Sequence, residues 1–394
     1  MIPGVAARAD AGVRRTAAVN GMMARVLLAF LATAGLFYVN IMPALVDGLV
    51  KGLGFSVRQA GLTGSFNVYG AAFGAFLIVF LVRRIRWRPA AYLFLAGMIA
   101  MDLVSIFLHA PAPLFAIRSL HGLMGGMLVG LAFSIIARTV APDRTFGVLL
   151  LLQVLAGGFG VMTLPLLSQR YGTAVLFLSL VAFSLVTLAM VRFIPDYPET
   201  NPLREDRGRG TSRPLVLALI AVFLFQAANM GLFAFIIGLG ESYSLELGFI
   251  SRTLGLANWL SIAGAGLVIL FSTRYGILWP ILIGIVVALV GTAALRYSAL
   301  QSIWIVSNVG TGVAWNFVIS HQLGMCARLD PSGRAAVWSG FASKMGLASG
   351  PMLASFIVAH GNYGALISTA LVLLALSAAA SALPALTLDR AAKK

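Results

Sequence analysis

Residues 192–213 read RFIPDYPETNPLREDRGRGTSR, and this stretch concentrates charge and proline as no other part of the chain does. It holds five Arg and four Asp or Glu, and the sequence on both sides of it is almost continuously apolar. An unpaired charge in hydrocarbon costs several kcal/mol, so this stretch does not lie inside a bilayer. We therefore interpret residues 195–213 as an aqueous linker between two membrane-embedded halves.

The composition places the chain among polytopic membrane proteins. Apolar residues make up 60% of it, charged residues only 10%, and the mean hydropathy is +0.96, whereas soluble domains are about 25% charged. The net charge of +16 then indicates basic loops that set topology rather than a nucleic-acid surface. A single cysteine, Cys326, excludes an internal disulfide and a thiolate cluster, and we predict no metal and no cofactor.

The apolar segments predict an all-α protein with twelve transmembrane helices in two pseudo-symmetric halves of six. A spanning helix needs about 20 apolar residues, and turn residues such as those of HAPAP at 109–113 interrupt the apolar runs. The predicted spans, numbered 1 to 12, are 24–46, 61–82, 90–109, 113–137, 146–168, 173–194, 214–239, 250–272, 277–296, 300–323, 335–358 and 363–387.

Basic residues predict the orientation of the chain. Twelve spans put both termini and the linker on one side of the membrane, where 21 of the 28 Lys and Arg residues fall. Because positive charge accumulates on the cytoplasmic side, both termini are predicted to be cytoplasmic. Two basic residues, Arg118 and Lys344, lie inside spans. The other side carries five: Lys51, Arg58, Arg170, Arg252 and Arg296.

The predicted organisation has five parts. A cytoplasmic tail at 1–23 precedes the first six-helix bundle at 24–194, the cytoplasmic linker at 195–213 follows, and a second bundle at 214–387 ends in a cytoplasmic tail at 388–394. Short loops without an extra domain favour a multi-pass protein of a plasma membrane, such as the bacterial inner membrane. We predict that the chain is a monomer in a lipid bilayer and binds no nucleic acid.

The two halves resemble each other in sequence. Residues 53–62 read LGFSVRQAGL and residues 247–256 read LGFISRTLGL, an offset of 194. The same offset pairs Asp47 with Glu241, so that in each half an acid ends the first helix and an arginine opens the second. Two six-helix repeats in parallel are an architecture of transporters.

Several motifs carry a family resemblance. Residues 81–89 read LVRRIRWRP and residues 272–276 read STRYG, span 4 contains Arg118-x-x-x-Gly122, and residues 346–351 of span 11 read GLASGP. With the topology and the repeat, they resemble the major facilitator superfamily. That family has Asp where Arg83 stands and Gly where Arg86 stands. The resemblance implies alternating access around a cavity lined by helices 1, 4, 7 and 10.

We predict that a gate is formed by the basic loops together with the acid and arginine positions that recur in both halves. Because an arginine occupies the position of the family's loop aspartate, the usual cytoplasmic gate is altered while the fold is not. The predicted gating residues are Arg83, Arg84, Arg274, Asp47, Arg58, Glu241 and Arg252.

Lys344 is the residue that most strongly indicates a functional site. It lies about ten residues into span 11, hence about 15 Å deep in a hydrocarbon core of about 30 Å. A lysine at that depth faces protein or a water-filled cavity, and the second half offers no acid at the same depth. Lys344 therefore predicts an anion site or a proton carrier. The structural alternative is a lysine hydrogen-bonded to an amide such as Asn316.

Asp102 and Arg118 form a second predicted constellation. Each lies about eight residues from the turn near Ala110, so an antiparallel hairpin places the two at equal depth and within pairing reach. The pair is either structural or a protonation switch that frees Arg118 for an anion. His121, one turn beyond Arg118, is predicted to share the proton-coupling role with Asp102, or else to be a satisfied core histidine.

Other polar residues inside the spans predict a cavity lining, although interhelical hydrogen bonding is a common alternative for single Asn and Gln residues. The complete set of predicted substrate-binding residues is Lys344, Arg118, Tyr38, Asn40, Gln226, Asn229, Asn308, Trp315 and Asn316.

These features predict a secondary active transporter of a small anionic organic solute, with proton coupling as an open hypothesis. We find no nucleotide loop, metalloprotease motif or nucleophile elbow, so no enzyme is predicted. The main alternative is a proton-driven exporter of hydrophobic or cationic compounds, suggested by the Gly-Pro motif of span 11. A receptor or scaffold without transport activity would not need polar residues at midplane depth in both halves.

Overall fold

A computed structural model describes residues 16–19, 21–82, 84–197, 213–271, 276–330, 334–359 and 361–391. Most of the predicted N-terminal tail and linker, together with Arg83 and Arg274, lie outside the described residues. In the described part the chain is helical, and eleven helical stretches are long and apolar enough to cross a bilayer. Span 1 is the twelfth span. It is not among those eleven stretches because it is divided into shorter helices. The predicted fold of twelve spans in two halves is confirmed.

The helices of the two halves have the following bounds. Span 1 consists of Met22–Ala34, Phe37–Asn40 and Met42–Leu53, and spans 2 to 6 are Val57–Leu81, Trp87–Ile106, Pro111–Ile136, Pro142–Tyr171 and Ala174–Val191. Span 7 consists of Arg213–Ala234 and Ile236–Ser242, span 8 of Leu247–Leu260 and Ile262–Phe271, and spans 9 to 12 are Leu278–Ala294, Gln301–Leu329, Arg334–Val358 and Tyr363–Ala391.

The prediction that an acid ends span 1 is wrong. The helix continues through Asp47 to Leu53, and Gly54 ends it with a φ of 66°, a conformation that costs glycine little. Asp47 is tolerated inside the helix because Lys51, one turn further on, pairs with it at 2.7 Å. Pro43, which cannot donate a backbone hydrogen bond, stands at the start of this last segment.

Span 2 begins at a capping box. The backbone N–H of Gln59 donates to Ser56 Oγ at 3.2 Å, and the backbone N–H of Ser56 donates to Gln59 Oε1 at 2.9 Å. Two backbone donors that the helix leaves unpaired are thereby satisfied. The repeated sequence at 53–62 is thus a helix end, a short turn and a capped helix start.

Glycines bring spans 2 and 4 into backbone contact. A Cβ added to Gly122 would lie 1.8 Å from the carbonyl oxygen of Asn67, and one added to Gly126 would lie 2.0 Å from that of Ala71. Backbone atoms cannot move aside as a side-chain end can. This close approach holds the first half together and fixes the face that span 4 presents to its neighbours.

Replacing Gly122 with Val is expected to lower the thermal unfolding midpoint of the purified protein, because overpacking costs about 1–3 kcal/mol or more. Gly310→Val is the matched control, since no atom outside its own helix backbone lies within 4 Å of a Cβ at that position. Equal midpoints for the two variants in a thermal unfolding series would contradict the packing described here.

The two halves meet along two equivalent pairs of helices. Span 2 packs against span 11, and span 8 packs against span 5, as a two-fold relation between the repeats requires. Tyr69 Oη lies 2.8 Å from Ser349 Oγ in the first pair. In the second, Trp259 Nε1 donates to the carbonyl oxygen of Leu155 at 3.2 Å. The two halves are therefore in direct contact along the surfaces at which they would move against each other.

Candidate functional site

A cavity of about 320 Å³ lies between the two halves, a size that suits a small organic molecule. Spans 1, 2 and 5 form one wall, and spans 7, 8, 10 and 11 form the other. Seven of the predicted substrate-binding residues line it: Asn40, Gln226, Asn229, Asn308, Trp315, Asn316 and Lys344.

The expectation that helices 1, 4, 7 and 10 line the cavity is wrong for span 4. Among the described residues, span 4 contributes none to the lining, whereas spans 2, 5, 8 and 11 do. The reason is packing: a Cβ added to Gly35 of span 1 would lie 2.3 Å from the carbonyl oxygen of Gly125, so span 1 lies directly over span 4. Span 4 instead presents its polar side chains to the inside of the first half.

Further polar residues of the lining were not predicted. The signal available in the sequence was a polar side chain inside an apolar span, the same signal that identified Asn229. The family resemblance implies a lining by helices 1, 4, 7 and 10, whereas three of the unpredicted residues lie in spans 5 and 8 and only Thr311 lies in span 10. These residues are Gln153, Asn258, Ser261 and Thr311.

Lys344 lines the cavity and is partly buried. In the part of the chain that the structure describes, neither an ion pair nor a hydrogen bond joins it to another residue. The structural alternative, a hydrogen bond from Lys344 to Asn316, is absent there. Nδ2 of Asn316 donates to the carbonyl oxygen and Oγ of Ser261, at 3.1 and 2.9 Å. A cation that has no partner among the described residues therefore faces the cavity.

A hydrogen-bonded chain connects three helices around Lys344. Trp315 Nε1 donates to Gln226 Oε1 at 2.6 Å, and Gln226 Nε2 donates to Ser343 Oγ at 2.7 Å. Phe233 packs edge-on against Trp315, with ring centroids 5.9 Å apart. Spans 7, 10 and 11 are thus tied together next to the lysine, which fixes the wall that carries the charge.

Three asparagines of the lining have hydrogen-bonding capacity left for a ligand. Asn229 and Asn308 donate through Nδ2 to the carbonyl oxygens of Phe225 and Trp304 in their own helices, each at 2.8 Å. Nδ2 of Asn40 is buried and has no hydrogen-bond partner in the described structure. A buried donor without a partner is costly, and because Nδ2 of Asn40 is inaccessible in this arrangement, a ligand could accept from it only after the side chain turned.

The predicted pairing of Asp102 with Arg118 is present inside the first half. Arg118 Nη1 donates to Asp102 Oδ1 at 2.7 Å, both side chains are fully buried, and Nη2 donates to the carbonyl oxygen of Met101 at 2.9 Å and to Ser105 Oγ at 2.5 Å. A charge in this apolar interior needs such partners.

His121 completes the buried cluster. Asn67 Nδ2 donates to the carbonyl oxygen of Arg118 at 3.1 Å and also contacts His121 Nδ1 at 2.9 Å. The carbonyl can only accept, which fixes the amide orientation, so Nδ1 is the acceptor and a neutral His121 carries its proton on Nε2. Nε2 lies 3.3 Å from Asp102 Oδ2.

Tyr38 and Arg118 belong to this cluster rather than to the cavity lining. The guanidinium of Arg118 lies 5.9 Å from the centre of the Tyr38 ring, and neither residue is among those that line the cavity. The cluster is nevertheless close to it, because Val39 and Val68 line the cavity while their chain neighbours Tyr38 and Asn67 contact the cluster.

The predicted gating residues fall into two groups. At the end of the bundle where spans 1 and 7 finish, which we call the Lys51 end, Lys51 bridges Asp47 and Glu241 and so connects the two halves. Nearby, Arg58 stacks on the ring of Phe356 of the other half, with 4.3 Å from its guanidinium carbon to the ring centre. The bridging role of Lys51 was not predicted.

Arg84 and Arg252, the other gating residues within the described part of the chain, have no such contact there. Arg252 is exposed and borders an apolar groove formed with spans 5 and 6, and Arg84 is exposed at the opposite end of the bundle. The structure thus places Asp47, Glu241 and Arg58 at the contact between the halves and leaves Arg84 and Arg252 outside it.

Replacing Lys51 with Met is expected to loosen the Lys51 end, because Asp47 and Glu241 would face each other without the cation. Partly exposed ion pairs contribute at most about 1 kcal/mol, which corresponds to a several-fold change in population. Spin labels on the ends of spans 1 and 7, in a Cys326→Ala background, would report a distance distribution extended to longer values. Lys51→Arg should keep the parent distribution, and an unchanged distribution in Lys51→Met would contradict the bridge.

Comparisons with known proteins agree with this architecture. Residues 26–355 match the family described as Major Facilitator Superfamily. A solved structure of the nucleoside transporter NupG, in a mutant form, superposes with a TM-score of 0.70 at 13% identity, covering 93% of this chain and 98% of that one. The D-xylose-proton symporter gives a TM-score of 0.70 at 14% identity, covering 93% and 97%. A search of curated proteins found no significant match.

Proposed function

The chain belongs to the Major Facilitator Superfamily and is a multi-pass membrane transporter rather than an enzyme, and we propose that it moves a small anionic organic solute by alternating access. The observation that carries this proposal is Lys344, a cation in the cavity between the halves that none of the described residues pairs with. A charge there is costly unless an opposite charge joins it. An anionic solute would supply that charge.

The polarity of the cavity disfavours the alternative of a cation exporter. The described lining contains no Asp or Glu, and a site for cations usually needs an acid to balance their charge. Asp102, an acid buried in the first half, already binds Arg118. Export of neutral hydrophobic compounds would leave Lys344 unpaired in the loaded carrier, which the anionic solute avoids.

Proton coupling through the buried cluster is the second element of the proposal. Asp102 and His121 lie behind the wall formed by spans 1 and 2, so a change in their protonation could alter how these spans pack. Protonating Asp102 would weaken its hold on Arg118. A proton symporter is among the proteins of similar fold, which makes this form of coupling a natural candidate.

Alternating access would open the Lys51 end and the linker end of the cavity in turn. The bridge from Lys51 to Glu241 and the stacking of Arg58 on Phe356 join the halves at the Lys51 end. We propose, from the distribution of basic residues, that this end is extracytoplasmic and that the two bundles, 24–194 and 214–387, move against each other on the linker 195–213. A monomer with cytoplasmic termini would suffice for this cycle.

A thermal-shift screen of the purified protein tests the substrate class. Small carboxylates, phosphates, amines and lipophilic cations would be added separately, and at least one anion is expected to raise the unfolding midpoint, because a ligand that binds only the folded state stabilises it. Stabilisation by lipophilic cations alone would contradict the proposal and favour the exporter.

Asp102→Asn tests proton coupling. The amide can keep a hydrogen bond to Arg118 but cannot take up the proton, so uptake into proteoliposomes is expected to lose its stimulation by an imposed pH gradient while exchange at equal pH persists. Uptake that responds to pH alike in the parent and in Asp102→Asn would count against coupling through this residue.

A further inference from the structure

The two walls of the cavity differ in polarity. The wall of the first half consists mainly of Gly35, Leu36, Val39, Val68, Ala71, Leu150 and Val154, with Asn40 and Gln153 as its polar residues. The wall of the second half carries Lys344 and a dense set of hydrogen-bonding side chains. They include Gln226, Asn229, Asn308, Thr311 and Asn316, and they alternate with apolar residues such as Phe233. The pseudo-symmetry of the fold therefore does not extend to the chemistry of the cavity.

We infer that the solute is an amphipathic monoanion, with its anionic group on Lys344 and an apolar body against the wall of Val39, Val68 and Val154. This inference rests on the proposed anionic solute and specifies its chemical class more narrowly. A solute that is polar all round, such as a sugar acid, would bury hydroxyls against apolar side chains without hydrogen bonds, which is unfavourable. An apolar body would instead leave water on contact with that wall.

The charged side chains that line the cavity indicate that the solute carries a single negative charge. Lys344 is the one ionisable side chain among the described residues that line it, and Arg118 is held by Asp102 behind the wall. A dianion would therefore bring a second charge into the cavity without a partner. The anchored wall of spans 7, 10 and 11 fixes the headgroup, while the opposite wall contacts the body.

Four six-carbon probes separate these statements: hexanoate, gluconate, adipate and hexanamide. We expect hexanoate to bind at least tenfold more tightly than gluconate, which has equal charge and length but carries hydroxyls, and more tightly than the dianion adipate or the neutral hexanamide. Among shorter straight-chain monocarboxylates, each added methylene is expected to raise affinity by up to about fourfold. Calorimetric titration of the purified protein measures each affinity directly.

Two nearly isosteric substitutions test where the apolar body of the solute binds. Val39→Thr with Val154→Thr adds two hydroxyls to the apolar wall and is expected to weaken hexanoate binding by tenfold or more, with little effect on gluconate. Val290→Thr is the matched control, because Val290 lies on the outer surface of span 9 and is 64% exposed. It should bind hexanoate as the parent does.

The outcomes distinguish this inference from the proposal on which it rests. Preference for gluconate or adipate, or unchanged hexanoate binding in the Val39→Thr, Val154→Thr variant, would overturn the amphipathic monoanion. If gluconate or adipate bound to the parent but not to Lys344→Met, the proposal of an anionic solute would still be supported. Equal binding of hexanoate by the parent and Lys344→Met, or stabilisation by no anion at all, would overturn the anionic solute itself.

Discussion

Lys344→Met is expected to weaken the binding of anionic solutes by about thirtyfold or more. Truncating one member of a desolvated charge pair costs about 2–5 kcal/mol, and no other ionisable side chain lines the cavity in the described structure. Methionine keeps most of the length and apolar stem of the lysine, so the loss would reflect the charge. Calorimetric titration of the parent and the variant with the same anion measures it.

A second readout of the same variant separates a binding role from a structural one. An unpaired, partly buried cation destabilises the empty protein, so Lys344→Met should unfold at the same temperature as the parent or higher when no solute is present. Lys344→Arg should retain a measurable part of the anion affinity. A variant that loses stability without solute and gains nothing from Lys344→Arg would indicate a structural lysine.

Arg118→Met is expected to destabilise the protein severely, because it leaves the carboxylate of Asp102 fully buried without its main partner. Breaking a buried ion pair by removing one member costs about 3–5 kcal/mol. Removing both members with Asp102→Leu and Arg118→Met is expected to restore most of the stability, since packed apolar side chains can replace such a pair. Thermal unfolding of the parent, both single variants and the double variant forms the complete cycle.

The double variant also addresses the role of the pair. A pair that serves only structure would leave transport driven by a pH gradient intact in the double variant. A proton switch would be lost, and uptake would then be insensitive to the gradient even though the protein is stable. Equal stability of the single and double variants would contradict the assignment of a strongly coupled pair.

The sequence was sufficient for the twelve spans and for the pairing of Asp102 with Arg118. Depth along a helix can be counted, so Asp102 could be assigned to the level of Arg118. The counting works because a bilayer fixes the length of a span and because charges inside it are rare enough to require a partner.

The orientation of helix faces could not be predicted in the same way. A helix that is apolar all round carries no periodic signal for its buried side, so the separation of Tyr38 and Arg118 from the cavity and the lining role of Gln153 depend on packing. The contact of Gly122 with Asn67 sets the rotation of span 4, and only the folded structure shows it. The bridge from Lys51 could not be predicted either, because its partner Glu241 is 190 residues away in the sequence.

Diffraction from crystals grown with a bromine-substituted hexanoate would show whether an anion binds at Lys344. We expect density for the carboxylate within hydrogen-bond distance of Lys344 Nζ and an anomalous bromine peak against the wall of Val39 and Val154. A carboxylate bound elsewhere, for example at Arg252 on the outer groove, with the cavity empty, would contradict it.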